Sequence, residues 1–546
     1  MMKSDKDRLT AVFYFTEKAS GQRGFQQSAR ERSGNFTEFR ELLKQYGLSQ
    51  SFSLAVNDEV SAIPDAIPPQ ELARRKDLRG VTVVTIDGED AKDLDDAVSV
   101  ERLEHGNYLL GVHIADVGYY VKEGSEIDRE AFQRGTSVYL VDKVVPMLPK
   151  KLSNGLCSLN PRKPRLTMSC FMEIDSAGGV RGYDIAETYI ISAARLTYAK
   201  VTEVLDGDMA ARNEYAALVP VLERMRELAL ILRDKRTRRG SIDFNFPEPK
   251  LVTDDKGRAI EVKLNTSTIS NKIIEEFMLA ANETVAGHMF GLQLPSVYRV
   301  HEKPDPEKAE RLTALVRNMK YKFKGKREVT PKDLQGLLFQ IKDTPEQRML
   351  STMILRSMMK ARYSNKNLGH FGLAAEYYCH FTSPIRRYPD LMVHRILREM
   401  INGRLSKKRI TRYAKLTKAA AVQSSETEMH ATEAERDWVA YKLCEYMEDQ
   451  VGAEFDGVIV SVTSFGLFVQ LPNTVEGLIR MTDLDDDYYE YDEAAMTLTG
   501  RRGGRQYRVG MEMKVRLAKV NTDLKQIDFV PIKEDEKSDG AEKKGE

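Results

Sequence analysis

A run of acidic side chains lies between residues 84 and 96, where the sequence reads VTIDGEDAKDLDD. Six carboxylates fall within ten positions, and Lys92 is the only basic residue among them. Carboxylates this close together repel one another unless a cation neutralises them. Oxygen ligands suit a hard divalent ion, so the run predicts a site for magnesium, with manganese as the alternative ion.

The residues on either side of this run predict two strands that would position it. Apolar residues over 81–86 predict a buried strand, and residues 97–103 predict the next one. The acids would then occupy the connection between two strands of a rigid scaffold. Composition alone leaves an ordinary acidic surface loop open as the alternative. A calcium loop of the helix–loop–helix type is disfavoured, because Gly88 stands second rather than sixth and the flanks are strands.

A second group of residues suited to chemistry is HFTSPIRRYPD at 380–390. Ser383 followed by Pro384 predicts the start of a helix, with a capping hydroxyl and then proline at the first helical position. Arg386 and Arg387 would lie in its first turn, where they oppose the helix dipole. Free N–H groups and guanidinium groups at one helix end bind phosphate well, so the pattern favours an anion site. The alternative is two solvated arginines on a surface helix.

The last hundred residues change character at position 451. Short alternating segments at 455–462, 466–471, 476–479 and 514–520 predict a five-stranded barrel of the OB type. Phe465 and Phe468 stand near basic residues, and aromatic side chains interleaved with cations suit single-stranded nucleic acid. Each of these two rings could equally be a core residue.

The remaining chain predicts one large mixed α/β unit. A hairpin is expected over 98–117, and helices at about 214–237, 270–290, 305–319, 331–341, 344–362 and 407–448. His113 lies on an apolar strand and is interpreted as a hydrogen-bonded core histidine. We divide the chain into a divergent segment and linker (1–76), a catalytic α/β (α+β) domain (77–450), an all-β OB domain (451–533) and a disordered charged tail (534–546).

Composition narrows the possible partners and the cellular location of the protein. The chain has 546 residues with 83 basic and 82 acidic side chains, so a polyanion would have to meet locally segregated positive charge. The four cysteines form no close pairs, which is typical of reduced thiols. No apolar signal core or membrane-length apolar run is present in the sequence. These features together predict a cytoplasmic location.

Residues 77–532 resemble the ribonuclease R branch of the ribonuclease II (RNB) family. The resemblance rests on the acidic run, on the HFTSPIRRY segment, on the OB module and on two further motifs, GVHIADV at 111–117 and LCSLNP at 156–161. It implies a processive 3′→5′ exoribonuclease that hydrolyses RNA to nucleoside 5′-monophosphates with two metal ions, in mRNA and rRNA turnover and RNA quality control. It also implies single-stranded RNA with a free 3′ end as substrate, a monomeric state and no membrane partner, with the ribosome or the RNA-processing machinery as candidate partners.

The resemblance also implies roles for individual residues. Four aspartates would bind the metal ions, with Asp95 the most critical for cleavage, and Arg386 would stabilise the transition state. Glu89 and Asp90 would be bystanders. The positions that would contact RNA are Tyr139, which would help to set the length of the final product, Tyr198 and Phe244, which would stack on the terminal bases, and Glu276, which would line the same pocket beside Glu275. The four metal-binding positions are Asp87, Asp93, Asp95 and Asp96.

One departure from the family pattern concerns the start of the chain. Full-length relatives have two cold-shock modules before the catalytic domain, whereas only residues 1–76 precede that domain here, and they do not predict two barrels. We therefore expect intact chemistry with altered RNA affinity and strand selection. The alternative function is a non-catalytic RNA-binding protein derived from a truncated nuclease.

Overall fold

The structure is a computed structural model, and it describes residues 37–532 except 244–247, 266, 324–328, 345 and 494. The prediction for Phe244 and the predicted charged tail at 534–546 lie outside the described residues. Within the part of the chain that the structure describes, no helix is both apolar enough and long enough to pass through a bilayer.

The described part of the large domain contains thirteen strands. They are β1 Lys76–Asp77, β2 Val84–Asp87, β3 Asp96–Arg102, β4 Tyr108–Ala115, β5 Val138–Leu140, β6 Lys143–Val145, β7 Pro164–Ile174, β8 Val180–Ile191, β9 Ala194–Thr197, β10 Glu248–Thr253, β11 Ala259–Asn265, β12 Tyr298–Val300 and β13 Arg362–Ser364.

Fourteen α-helices accompany these strands in the described residues. They are α1 (residues 37–45), α2 Leu54–Ala62, α3 Pro69–Ala73, α4 Val117–Tyr120, α5 Glu126–Arg134, α6 Tyr198–Asp206, α7 Met209–Glu214, α8 Val219–Arg239, α9 Ile269–Gly291, α10 Pro306–Asn318, α11 Pro331–Ile341, α12 Gln347–Ser357, α13 Tyr388–Ile401 and α14 Lys407–Glu448. A π-helical turn covers Lys151–Leu156.

Seven strands form the central sheet in the order β1-β8-β7-β4-β3-β2-β9. The pairs β1–β8 and β2–β9 are parallel and the others are antiparallel. Helices α8 and α9 pack on the central strands, and the apolar side chains of sheet and helices share one core. Strands β3 and β4 confirm the predicted hairpin, and α8 to α12 and α14 lie close to the predicted helical ranges.

His113 occupies the middle of this sheet, as predicted for a core histidine. Its ring is fully buried. Its two ring nitrogens lie 3.0 Å from Ser99 Oγ and 2.8 Å from Ser169 Oγ, so the serines on the neighbouring strands satisfy both ring positions.

The C-terminal domain is a closed five-stranded barrel, which confirms the predicted OB-type architecture. Its order is β14-β15-β16-β21-β20. Gly466 begins the second strand with φ +153°, and an added Cβ would lie 2.1 Å from the Ile479 carbonyl oxygen, so this tight corner requires glycine. A three-stranded sheet, β17 Tyr489–Asp492, β18 Thr497–Gly500 and β19 Gln506–Arg508, is inserted before β20. The barrel strands are β14 Glu454–Thr463, β15 Gly466–Gln470, β16 Glu476–Arg480, β20 Glu512–Asn521 and β21 Gln526–Pro531.

Helix α14 joins the two domains. It contacts α5, α13, β5 and β13 in the large domain and β20 and β21 in the barrel. An ion pair between Lys525 and Asp437 (2.6 Å) also links the barrel to this helix.

Candidate active site

The acidic run lies at the end of the central sheet where β2 finishes and β3 begins. Asp87 is the last residue of β2, and Asp96 is the first residue of β3. The connection between them carries Asp93 and Asp95. At its first half, Arg195 on β9 donates hydrogen bonds from Nη2 to the carbonyl oxygens of Glu89 (2.6 Å) and Ala91 (2.8 Å). The predicted aspartates therefore lie together at this end of the sheet, and hydrogen bonds from Arg195 fix the connection that carries them.

Asp95 is the most enclosed of the four aspartates, with 3% of its surface exposed. Its Oδ1 accepts a hydrogen bond from the Ile385 N–H (2.8 Å), and its carbonyl oxygen accepts one from the Ala115 N–H (2.8 Å). Its Oδ2 lies 3.7 Å from Arg386 Nε. The two sequence motifs, almost 300 residues apart, therefore meet at this carboxylate.

The electrostatics of the aspartates favour a cation. Burial raises the pKa of Asp87 to about 8, and the charges of Asp96 and Asp93 add to the increase. Burial also raises the pKa of Asp96 to about 6 and holds the pKa of Asp95 well above the ordinary carboxyl value, although Arg386 opposes both shifts. Deprotonating all of them together is therefore costly unless positive charge is brought in.

Three buried carboxylate oxygens are candidate ligands for such a cation. Oδ2 of Asp87, of Asp95 and of Asp96 has no hydrogen-bond partner, which is costly for a buried carboxylate. Hard divalent ions prefer this kind of ligand. Within the described ranges, no three or more His, Cys, Asp or Glu side chains converge on one point. The chemistry of these oxygens therefore fits a hard divalent ion, and Asp87, Asp95 and Asp96 are among the residues that would hold it.

The turn that carries Arg386 differs from the prediction. Helix α13 begins at Tyr388, with Pro389 in its first turn, so Ser383 and Pro384 do not start it. Residues 384–386 instead form a turn, and the Ser383 carbonyl accepts the N–H groups of Arg386 and Arg387. The local signal was overridden because residue 387 pairs with Thr136 in an isolated β-bridge, and an extended residue cannot be helical.

This correction separates the roles of the two arginines. Arg387 donates to Asp390 from Nε (2.9 Å) and from Nη2 (2.7 Å), and Asp390 is fully buried. Arg386 keeps 41% of its side chain exposed while Nη2 donates to Ser383 Oγ (3.0 Å). Arg386 is thus the guanidinium of this pair that remains accessible to an anion.

Tyr139 closes one side of the aspartate cluster. Its hydroxyl donates to Asp93 Oδ2 (2.6 Å), and its N–H donates to Glu435 Oε1 (3.0 Å) on α14. The role of Glu435 was not predicted from the sequence. It is one of several glutamates in a long charged helix, and its partner Tyr139 is 296 residues away in the chain. The structure therefore brings Tyr139 to the aspartates through its hydroxyl and fixes it through its backbone.

The other predicted RNA-contacting residues are dispersed. Tyr198 begins α6 beside the cluster, and the charges of Asp96 and Asp87 add to the burial that raises the pKa of its hydroxyl. Glu276 is 3% exposed and forms an ion pair with Arg236 (2.7 Å), whereas Glu275 is about half exposed. Its carboxylate is therefore already paired with a guanidinium, and its role toward RNA stays a prediction.

Phe465 and Phe468 lie on the barrel at the β14–β15 turn. Their ring centroids are 6.0 Å apart in an edge-to-face arrangement, and Phe465 is 56% exposed. Phe465 is therefore not a core residue and offers a ring face to solvent, in a different domain from the aspartates.

Comparisons with known proteins agree with this arrangement. A profile of the RNB domain matches residues 75–403, and a profile of the S1 RNA binding domain matches residues 448–530. The chain therefore belongs to the RNB family. Within that family it groups with ribonuclease R, because the relatives described next are ribonuclease R proteins.

Ribonuclease R 1 of Lactococcus lactis is 46% identical over 490 residues, which are 90% of this chain and 60% of that protein. Ribonuclease R of Thermotoga maritima is 46% identical over 482 residues, covering 88% of this chain and 68% of that protein. The structure of Mycoplasma genitalium RNase R in complex with ribose-methylated single-stranded RNA matches with a TM-score of 0.85 at 30% identity, over 91% of this chain and 78% of that one. The chain thus spans about three fifths to two thirds of these curated relatives.

Proposed function

We propose that this chain is a metal-dependent 3′→5′ exoribonuclease that hydrolyses single-stranded RNA to nucleoside 5′-monophosphates. The observation that carries the proposal is the meeting of Arg386 Nε with Asp95 Oδ2 at 3.7 Å, beside three buried carboxylate oxygens that have no hydrogen-bond partner. Family membership supports the reaction class, since the relatives at 46% identity are ribonuclease R proteins.

The residues that would hold magnesium are Asp87, Asp93, Asp95 and Asp96, with manganese as the alternative ion. When bound, a pair of such ions supplies an activated water and charge relief at the leaving oxygen of a phosphodiester. Because no three of the carboxylates converge, phosphate oxygens of the RNA would complete the ligand set.

The chain's own residues would stabilise the charge that develops on the substrate and orient the aspartates. Arg386 keeps an accessible guanidinium, which is suited to the negative charge that develops on phosphate oxygens in the transition state. The Ile385 N–H orients Asp95 through Oδ1 and leaves Oδ2 toward the cluster. The Tyr139 hydroxyl orients Asp93 in the same way. Stacking on the terminal bases would fall to Tyr198 and Phe244, and Tyr139 would help to set the length of the final product. Phe465 and Phe468 on the barrel would guide the incoming strand.

The proposal is tested with 5′-labelled single-stranded RNA and magnesium. We expect the wild-type chain to shorten the RNA from its 3′ end and the Asp95→Asn variant to lose this activity. Asp90→Asn is the matched control, because Asp90 is an exposed aspartate in the same connection. RNA left untouched by a folded wild-type chain would exclude the enzyme. If RNA binding also persisted unchanged in EDTA, the non-catalytic RNA-binding alternative would be supported.

A further inference from the structure

The backbone of Leu94 is held from outside the acidic connection by the LCSLNP motif. The Leu94 N–H donates to Ser158 Oγ (3.1 Å), and the same hydroxyl donates to the Lys92 carbonyl oxygen (2.8 Å). The Leu159 N–H donates to the Leu94 carbonyl oxygen (3.0 Å). The N–H and the carbonyl of Leu94 are therefore both hydrogen-bonded to consecutive residues of another segment, Ser158 and Leu159.

Leu94 lies between Asp93 and Asp95, so its anchoring affects both. Its side chain is 1% exposed, and Ser158 is fully buried. Because the Leu94 N–H and carbonyl are both hydrogen-bonded and its side chain is buried, the backbone on either side is fixed. The directions in which the Asp93 and Asp95 side chains project are fixed with it. Ser158 is itself held, because its carbonyl oxygen accepts a hydrogen bond from Arg165 Nε (2.8 Å).

The hydroxyl of Ser158 is well matched to this position. A hydroxyl has one hydrogen to donate and lone pairs to accept, so it can bridge the Lys92 carbonyl and the Leu94 N–H at once. Alanine would leave the buried Leu94 N–H without a partner and would also remove the hydroxyl that donates to the Lys92 carbonyl, so the connection would have to shift to satisfy the N–H. The shift would fall on the two aspartates that flank Leu94.

We propose that Ser158 is a positioning residue that sets the separation of Asp93 and Asp95 for a divalent cation. This inference rests on the proposed function, because it concerns the same aspartates. Ser158 touches neither substrate nor ion and acts through the backbone of residues 92–94. Partners that orient metal ligands typically change metal affinity or activity by about 10- to 100-fold when removed.

The experiment compares Ser158→Ala with Ser169→Ala. Ser169 is a fully buried serine of the same domain that also makes two side-chain hydrogen bonds, to His113 (2.8 Å) and Thr188 (2.6 Å). Manganese binding is measured by calorimetry without RNA. Hydrogen exchange of the segment around Leu94 is followed by mass spectrometry. The magnesium dependence of RNA hydrolysis is measured with the labelled substrate.

For Ser158→Ala we expect metal half-saturation to rise by about 10- to 100-fold, with faster exchange around Leu94 and an unchanged KM for RNA at saturating magnesium. Ser169→Ala should leave all three unchanged even if it melts earlier. If Ser158→Ala is too unstable to assay, Ser158→Cys fills the same space with a weak donor and should give a smaller shift in the same direction.

Wild-type manganese affinity in a folded Ser158→Ala variant would overturn the inference. A wild-type chain that does not hydrolyse RNA would instead contradict the proposed function, while calorimetry and hydrogen exchange would still decide the role of Ser158.

Discussion

The hydroxyl of Tyr139 lies 2.6 Å from Asp93 Oδ2 and donates a hydrogen bond to it. Tyr139 also keeps 39% of its surface exposed, so the residue that orients Asp93 is itself partly open to solvent.

The Tyr139→Phe variant should separate the contribution of the hydroxyl from that of the ring. A hydrogen bond to a charged group contributes about 1.5–3 kcal/mol, so we expect kcat to fall by roughly 10- to 100-fold while the length of the final product is unchanged. Tyr139→Ala should lower kcat and also change the final product length, because the ring is lost. Gel analysis of the end products with steady-state rates checks both. If the Tyr139→Phe variant kept the wild-type kcat, the hydrogen bond to Asp93 would not contribute to turnover.

The adjacent arginines should give opposite phenotypes. Arg386→Ala should reduce kcat by roughly 10²- to 10³-fold, the typical cost of removing one transition-state donor, with little change in melting temperature. Arg387→Ala should mainly destabilise the fold, by about 3–5 kcal/mol, because it leaves Asp390 buried without its charge partner. Thermal melts paired with initial rates distinguish the two. Equal loss of stability in both variants would contradict the assignment of Arg386 as the accessible guanidinium.

Divalent cations should stabilise the folded chain even without RNA. At a free magnesium concentration 100 times the dissociation constant, binding contributes about 2.7 kcal/mol, which should raise the melting temperature. The increase should shrink in Asp87→Asn and Asp95→Asn and persist in Asp90→Asn, and EDTA should reverse it. A magnesium shift of the same size in all variants would place the ion elsewhere.

Acidification should cost stability through His113. Burial lowers the pKa of His113 to about 3, and the nearby charge of Lys76 adds to the decrease. An unfolded histidine titrates near 6.5, so the contribution of the neutral ring is complete above that pH and is lost as pH falls toward 3. At pH 5.5 the loss is about 1.4 kcal/mol for this residue.

His113→Gln isolates this contribution. The variant should be less stable at pH 7.5, since it disturbs the hydrogen bonds with Ser99 and Ser169. Its further loss on going to pH 5.5, measured by urea denaturation, should be smaller than that of the wild-type chain by about 1.4 kcal/mol. An identical pH dependence in both proteins would mean that His113 takes up a proton in the folded state.

Periodicity was enough to predict much of the architecture. The alternation that begins at Glu454 indicated the barrel, and the long helical pattern that ends at Glu448 is a single helix. The aspartates could be predicted because they are contiguous in sequence and follow a strand. The start of α13 was predicted wrongly because Ser383 and Pro384 are a local signal, whereas residue 387 pairs with Thr136, 251 residues earlier in the chain. The contacts of Glu435 and Ser158 could not be predicted, since each side chain bonds to a backbone that only the fold brings to it. The LCSLNP motif marked Ser158 in the sequence but did not indicate which segment it contacts.

Helix α14 has 42 residues, which at 1.5 Å per residue corresponds to roughly 63 Å of continuous rod. Glu435 on this rod bonds to the Tyr139 backbone, and Asp437, two residues further on, pairs with Lys525 of the barrel. The two attachments are therefore two residues apart on one helix. A displacement of the barrel that reached Asp437 would act next to the side chain that holds the Tyr139 backbone, and Tyr139 in turn donates to Asp93.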